Sequence, residues 1–303
     1  MTESVLDSIE HHFNLISSIL LTAIGLVGNT IVIFILLQKQ FRKVSLFRYL
    51  IMATIIDTLN FLFIWPANHP NFFYLNRIPI ICKLFQYLSY VVYQLSVWII
   101  VLSSIDRFLA VKYSHKFHSR NKFKYQSGAV FIIFVVLMLV DIPFFLSYDV
   151  YEHGNETFCG YNPSSISIGF YMDLLNSFIS TFVPFVLMIL STFIIGHHLI
   201  KHKTKLIRNK NNFTKELQFV KVMCAIDIFY LICTLPFCIL TVTYDALGVN
   251  YFGTLEFSIV NFLTYVYSSF DFFIYFSCNK LFREYFMAII RCRRKKEISN
   301  DNT

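Results

Sequence analysis

The chain has 303 residues, 56% hydrophobic and 15% charged, with a mean hydropathy of +0.59 and a formal net charge of +8. Soluble domains carry about 25% charged residues, so this balance excludes an ordinary water-soluble globule and points to lipid as the main solvent. The positive charge falls in a few short segments between apolar runs, which is the signature of membrane sidedness and not of a nucleic-acid surface.

A helix rises about 1.5 Å per residue, so crossing a bilayer takes about 20 apolar residues. The opening segment, MTESVLDSIEHHF, lacks the basic stretch of a cleavable leader, so residues 1–14 are expected to form an outer N-terminus ahead of an uncleaved anchor. Apolar runs predict spans at Leu15–Leu37, Leu46–Trp65, Ile80–Val111, Ser127–Tyr148, Phe170–Leu199, Glu216–Thr243 and Thr254–Cys278. An amphipathic stretch from Lys280 to Phe286 follows at once. The expected fold class is an all-α membrane protein. Residues 15–278 form a seven-transmembrane helix bundle, and residues 279–303 a short amphipathic eighth helix and a tail. No internal repeat or low-complexity run interrupts it.

All but Arg77 and Lys83 of the 26 Lys and Arg residues fall at one end of these spans. Basic loops stay in the cytoplasm, so the N-terminus is expected outside and the C-terminus inside, at the plasma membrane. The outer face then carries Glu3, Asp7, Glu10, Asp149, Glu152, Glu156, Asp245 and Glu256. Of the seven cysteines, Cys82 and Cys159 fall on that oxidising side and are expected to pair. Cys224, Cys233, Cys238 and Cys278 lie within spans and should pack as small hydrophobes, while Cys292 beside Arg291 and Arg293 suits palmitoylation. The sequon at Asn155 faces outward and suits glycosylation; the one at Asn212 faces inward and should stay bare.

Polar groups inside spans are costly and mark function. Gly28-Asn29 lies in the first span, Asp57 in the second and Asp106-Arg107-Phe108 at the inner end of the third. Cys233-Thr-Leu-Pro236 lies in the sixth and Asp271-Phe-Phe-Ile-Tyr275 in the seventh. The set, in this order, resembles the rhodopsin-like (class A) G-protein-coupled receptors over essentially the whole chain. Asn29 matches the asparagine of the family's first helix and Asp57 the aspartate of its second. Asp106-Arg107-Phe108 matches the DRY tripeptide with Phe for Tyr. Pro184 and Pro236 match the prolines of helices five and six. Asp271 to Tyr275 matches NPxxY with Asp271 for Asn and Phe272 for Pro, and Phe282 takes the place of the family's helix-eight phenylalanine.

The resemblance implies a cell-surface receptor that passes an outer ligand's signal to a heterotrimeric G protein. Asp106, Arg107, Phe108, Glu216, Thr234, Pro236 and Tyr275 would form the activation switch, with Arg107 paired to Asp106 and reaching Glu216 at rest. Asn29, Asp57 and Asp271 would form an intramembrane polar site, suited either to sodium or to a hydrogen-bond network; no other cofactor is implied. Several positions depart from the family: Thr234 replaces a tryptophan, Thr192 a tyrosine, the fourth span has no tryptophan, and Asp227 stands where an aliphatic residue is usual. These departures imply a divergent member, of the kind seen among invertebrate peptide receptors.

Elimination narrows the ligand. Tyr265 stands where an opsin has its retinal-binding lysine, and Ser89 where amine receptors have an aspartate. An acidic, aromatic vestibule remains, which favours a short basic peptide, with amidated neuropeptides as one such class. Phe85, Ser89, Gln94, Asp173, Asn176 and Tyr265 are the candidate ligand contacts. The basic loops suit a G protein, anionic membrane lipid or both, and no nucleic acid. No HExxH, GxSxG or phosphate loop supports an enzyme, and no repeated halves support a transporter. A non-signalling chemosensory or decoy receptor on the same fold is the alternative.

Overall fold

The computed structural model describes residues 2–64, 78–112, 122–153, 156–161, 166–201, 210–247 and 254–291. Helix one runs Thr2–Leu36 and helix two Ser45–Leu59, continued by a π-turn at Asn60–Ile64; a single turn, Lys39–Arg42, links them. Helix three is Pro79–Lys112. Helix four comes in two pieces, Lys122–Val140 and Ile142–Ser147. Helix five comprises Ile166–Ser177, a π-turn at Phe178–Phe182 and Val183–Lys201. Helix six is Lys210–Leu247, helix seven Leu255–Ser269 plus Asp271–Cys278, and helix eight Lys280–Ile290. Among the described residues six helices are each long and apolar enough to cross a membrane, and the two pieces of helix seven, bent by 52°, make a seventh span when taken as one. The expected seven-helix bundle with a terminal eighth helix is what the chain forms.

Helices one, four, six and seven depart from the sequence expectation, three of them for a local physical reason. Helix one starts at Thr2 instead of Leu15. Glu3 and Asp7 lie near its start, where carboxylates favour a helix dipole, and Glu10 and Asn14 fasten it to helix seven through Ser258. Helix six starts at Lys210, ahead of Glu216. Helix four breaks at Asp141 because Pro143 has no N–H to give to the Leu139 carbonyl. Helix seven bends at Phe270 without a proline: Phe270 N–H bonds to Val266 O at 3.1 Å, and the N–H groups of Phe273 and Ile274 both turn back to Phe270 O.

After helix four the chain forms an antiparallel hairpin that sequence periodicity did not indicate. Strand β1, Tyr148–His153, pairs with β2, Glu156–Tyr161, and Val150 faces Cys159. A buried core of aliphatic and aromatic residues from helices two, three, five, six and seven fills the bundle, while Phe131, Ile132, Leu139 and Leu146 of helix four point outward as lipid-facing side chains do. Helices one and two touch closely. A Cβ on Gly25 would come within 2.7 Å of the Phe61 ring, which the π-turn presses against it.

Candidate functional site

The disulfide joins Cys82, at one end of helix three, to Cys159 of β2, across a sequence separation of 77. It fixes the hairpin against helix three, beside a small cluster of Phe144, Tyr148 and Met172. Tyr90 stacks on Phe144 with ring centroids 3.9 Å apart, and its hydroxyl lies 3.1 Å from that of Tyr148. Lys83 pairs with Asp149 at 3.3 Å. The Val150 N–H, and then the Lys83 ammonium, hold the Asp149 carboxyl below the usual carboxylate range.

The candidate ligand contacts separate into distinct settings. The Ser89 hydroxyl donates to Phe85 O of its own helix at 2.9 Å. Tyr265 packs beside Leu21 and Phe61, towards helices one and two. Gln94 and Asn176 turn to each other: Gln94 Nε2 donates to Asn176 Oδ1 at 3.1 Å and to Asp141 Oδ1 at 3.2 Å. Asp141, on helix four and 1% exposed, was missed by the sequence reading. A charged residue just before a proline inside a span was the available signal. The Asp173 side chain lies outside the described residues, as do Asn155 and Cys292.

Midway along the bundle, Asn29, Asp57 and Asp271 are brought together and buried. Asn29 Nδ2 donates to Ser268 O at 3.4 Å, and Thr54 donates to Asp271 Oδ2 at 3.4 Å. The hydroxyls of Ser96 and Ser268 lie beside Asp57, whose charge Asp271 is near enough to repel. Asn29 Oδ1 has no hydrogen-bond partner although fully buried. Two carboxylates and this unpartnered amide oxygen in one buried place suit a small cation with oxygen ligands, and the Tyr275 hydroxyl beside Asp271 is the donor still unused there.

At the basic end, the Ser45 hydroxyl of helix two donates to Asp106 Oδ2, and Gln126 Nε2 of helix four donates to Ser45. Arg48 Nε closes the run on Gln126 Oε1 at 2.6 Å. Helices two, three and four are thus joined by one chain of donors running from a cation to an anion, an order that strengthens each link. Asp106 takes a hydrogen bond from helix two, which the sequence reading did not foresee. Arg107 is the next residue, and Phe108 packs against the core. The Glu216 side chain lies outside the described residues, so its reach to Arg107 belongs with the proposals.

Helices five and six meet through positions that depart from the family pattern. The Thr192 hydroxyl donates to Asp227 Oδ2 at 2.8 Å, which gives each of these two unusual residues a partner. Higher up, Pro184 cannot donate to the carbonyl of Ser180, and the Tyr230 hydroxyl of helix six donates to that oxygen instead. Ser177 and Thr241 hydroxyls lie 3.2 Å apart. Thr234, 1% exposed, bonds back to Tyr230 O at 2.9 Å, two residues before Pro236, where such a bond favours a bend.

Where the family has a proline in helix seven, Phe272 stacks with Phe276 and meets Phe282 and Phe286 edge-to-face, and so binds helix eight to the bundle. Tyr275, 2% exposed, sits 5.9 Å from Phe282 between ring centroids. Asn279 caps helix eight by accepting from Phe282 N–H at 3.1 Å. Arg283 donates to Phe276 O and Ser277 O, satisfying the end of helix seven with a cation.

Seven apolar spans, polar residues placed inside them and a disulfide over one mouth define a multi-pass membrane protein of the receptor type. The chain belongs to the rhodopsin family of 7 transmembrane receptors, whose family model matches residues 28–278. It is also similar to the C5a anaphylatoxin chemotactic receptor 1 of Danio rerio, at 25% identity over 156 residues. That alignment covers 51% of this chain and 43% of the relative, so the chain spans less than half the length of this relative.

Proposed function

We propose that this receptor binds a short basic peptide at its disulfide end, outside the cell, and passes the signal to a heterotrimeric G protein at its basic end. The observation that carries this reading is helix three: one unbroken helix, Pro79–Lys112, with the disulfide at its first turn and Asp106-Arg107-Phe108 near its last. Its length of 34 residues corresponds to about 50 Å, enough to connect the two faces of a bilayer. The N-terminus lies outside and the C-terminus inside, because the basic residues gather at the end opposite the disulfide.

Acidity at the mouth supports a basic ligand. Asp149 already holds Lys83 and Glu10 holds Ser258, whereas Glu256 is exposed in the first turn of helix seven. A relative named as an anaphylatoxin chemotactic receptor agrees with an extracellular ligand of peptide kind. At the other end Arg107 and Glu216 form the resting tie between helices three and six, and a ligand that prefers the parted state frees Arg107. It shifts the balance only by its difference in affinity for the two states. Asn29, Asp57 and Asp271 would hold a sodium ion, which supplies the positive charge that two neighbouring carboxylates need. Asn155 carries a glycan, Cys292 a palmitoyl chain, and the basic loops also rest on anionic lipid.

The test is guanine-nucleotide exchange on added G proteins by membranes holding the full chain, with and without a panel of short amidated peptides. Peptide-stimulated exchange is expected, and Glu216→Ala should raise exchange without ligand. Specific peptide binding without exchange on any G protein would make the chain a decoy receptor. Glycan mapping checks orientation independently: a sugar on Asn212 in place of Asn155 would reverse it.

A further inference from the structure

Gln94 of helix three, Asp141 of helix four and Asn176 of helix five form a buried cluster apart from the Asn29–Asp57–Asp271 site. Their exposures are 0%, 1% and 6%. Gln94 Nε2 gives its two N–H groups to Asp141 Oδ1 and Asn176 Oδ1, the orientation an ionised carboxylate requires because it offers only acceptors. Two buried oxygens then remain without a hydrogen-bond partner, Gln94 Oε1 and Asp141 Oδ2.

The carboxylate also lacks a counter-charge. Among the described residues, Gln94 is the side chain that hydrogen-bonds Asp141, and the other titratable group within its reach is Tyr87. The Tyr87 hydroxyl already donates to Met138 O at 2.6 Å. An anion inside a span that has one amide donor and no cation is incomplete. What would complete it is positive, small and able to accept oxygen ligands.

We infer that Gln94, Asp141 and Asn176 bind a monovalent cationic group between helices three, four and five. Hard cations take carboxylate and amide oxygens of this kind. The closed surroundings favour an ion of sodium's size, and the ammonium or guanidinium end of a ligand has the same chemistry. The site is separate from the mid-bundle carboxylates, and it does not rest on G-protein coupling or on a peptide ligand.

Thermal unfolding of the purified full chain in lipid nanodiscs distinguishes the sources. Asp57→Asn serves as the background, so that the mid-bundle site does not contribute, and sodium chloride is compared with choline chloride at equal ionic strength. Sodium is expected to raise the midpoint by about 2–4 °C, and adding Asp141→Asn should abolish that rise. If agmatine gives an Asp141-dependent rise and sodium does not, the cation belongs to the ligand and the site stands. No Asp141-dependent rise with either cation overturns the inference and leaves Asp141 neutral and merely hydrogen-bonded. Should the Asp141 variant not fold, Gln94→Met keeps the carboxylate and removes one free acceptor. It should cut the sodium rise, and an unchanged rise overturns the inference as surely.

Discussion

The two ends of the bundle are held in different ways. At the disulfide end a covalent tie, Cys82 to Cys159, is joined by stacking of Tyr90 on Phe144 and by hydrogen bonds of Glu10 and Asn14 with Ser258 between helices one and seven. At the basic end the described ties between spans are side-chain hydrogen bonds, and they divide the helices into two groups. Arg48, Gln126, Ser45 and Asp106 join helices two, three and four, while Thr192 and Asp227 join helices five and six. A mouth that is already fixed does not have to be ordered by its ligand, which favours affinity. A base in two hydrogen-bonded groups can part along a seam without breaking either, which is what a switch needs.

The largest effect is expected from cutting the covalent tie. Cys82→Ser or Cys159→Ser opens a loop of 77 residues, and losing a native disulfide of that span costs about 2–5 kcal/mol. Surface expression and ligand binding should fall by tenfold or more, measured by cell-surface labelling and saturation binding. Near-normal binding would show that hydrogen bonds and stacking alone hold this end, and the contrast between the ends would disappear.

Next come the ties of helices five and six. Thr192→Val removes the donor to Asp227 Oδ2 and leaves a buried carboxylate with neither oxygen bonded, because Oδ1 has no partner already. Leaving such a group unsatisfied costs about 1–3 kcal/mol. Thermal stability should drop, and nucleotide exchange without ligand should rise as helix six comes away from helix five. Adding Asp227→Leu should restore stability, since replacing both partners removes the penalty. A double variant no more stable than Thr192→Val would mean that the carboxylate has another partner.

Tyr230→Phe is a milder change to the same pair of helices. It removes one hydroxyl and leaves the Ser180 carbonyl, already without its helical donor at Pro184, to find water or another group. Interhelical hydrogen bonds in bilayers average about 0.6 kcal/mol, so the melting midpoint should fall by only a degree or two. Exchange without ligand should rise less than in Thr192→Val. A larger rise would place the hinge of helix six at Tyr230 instead of at the Thr192–Asp227 pair.

Much of this was legible in the residue string, and what was not shares a cause. Span number follows from apolar length, and the disulfide from the two cysteines on the sparsely charged face. Partnership across helices is different, because spacing along one helix says which residues share a face but not what that face meets. Thr192 and Asp227 each stood out as a departure from the family, yet nothing in either span showed that they answer each other. Gln94 and Asn176 were likewise legible one by one as polar groups, but not that they bond each other or that Gln94 also reaches Asp141 on a third helix. The breaks are legible only in part. Pro143 and Pro184 announce lost N–H groups, whereas the bend at Phe270 comes from backbone geometry that no residue type marks.

The smallest effect should come from Asp149→Asn, although this too lies at the stiff end. The Lys83–Asp149 pair is partly exposed, with side chains 26% and 37% accessible, and such pairs contribute little because water screens them. The folded-state pKa of Asp149 is lowered by the Val150 N–H and by Lys83, so the stabilisation is present above the ordinary carboxylate pKa and is lost as pH falls through the lowered value. At neutral pH the substitution should change ligand affinity or unfolding equilibrium by less than about fivefold. The difference from wild type should shrink further as the medium is acidified below the carboxylate range. If the loss instead approached that of Cys82→Ser, the hairpin would be held chiefly by charge, and the stiffness assigned to the disulfide would belong to Lys83 and Asp149.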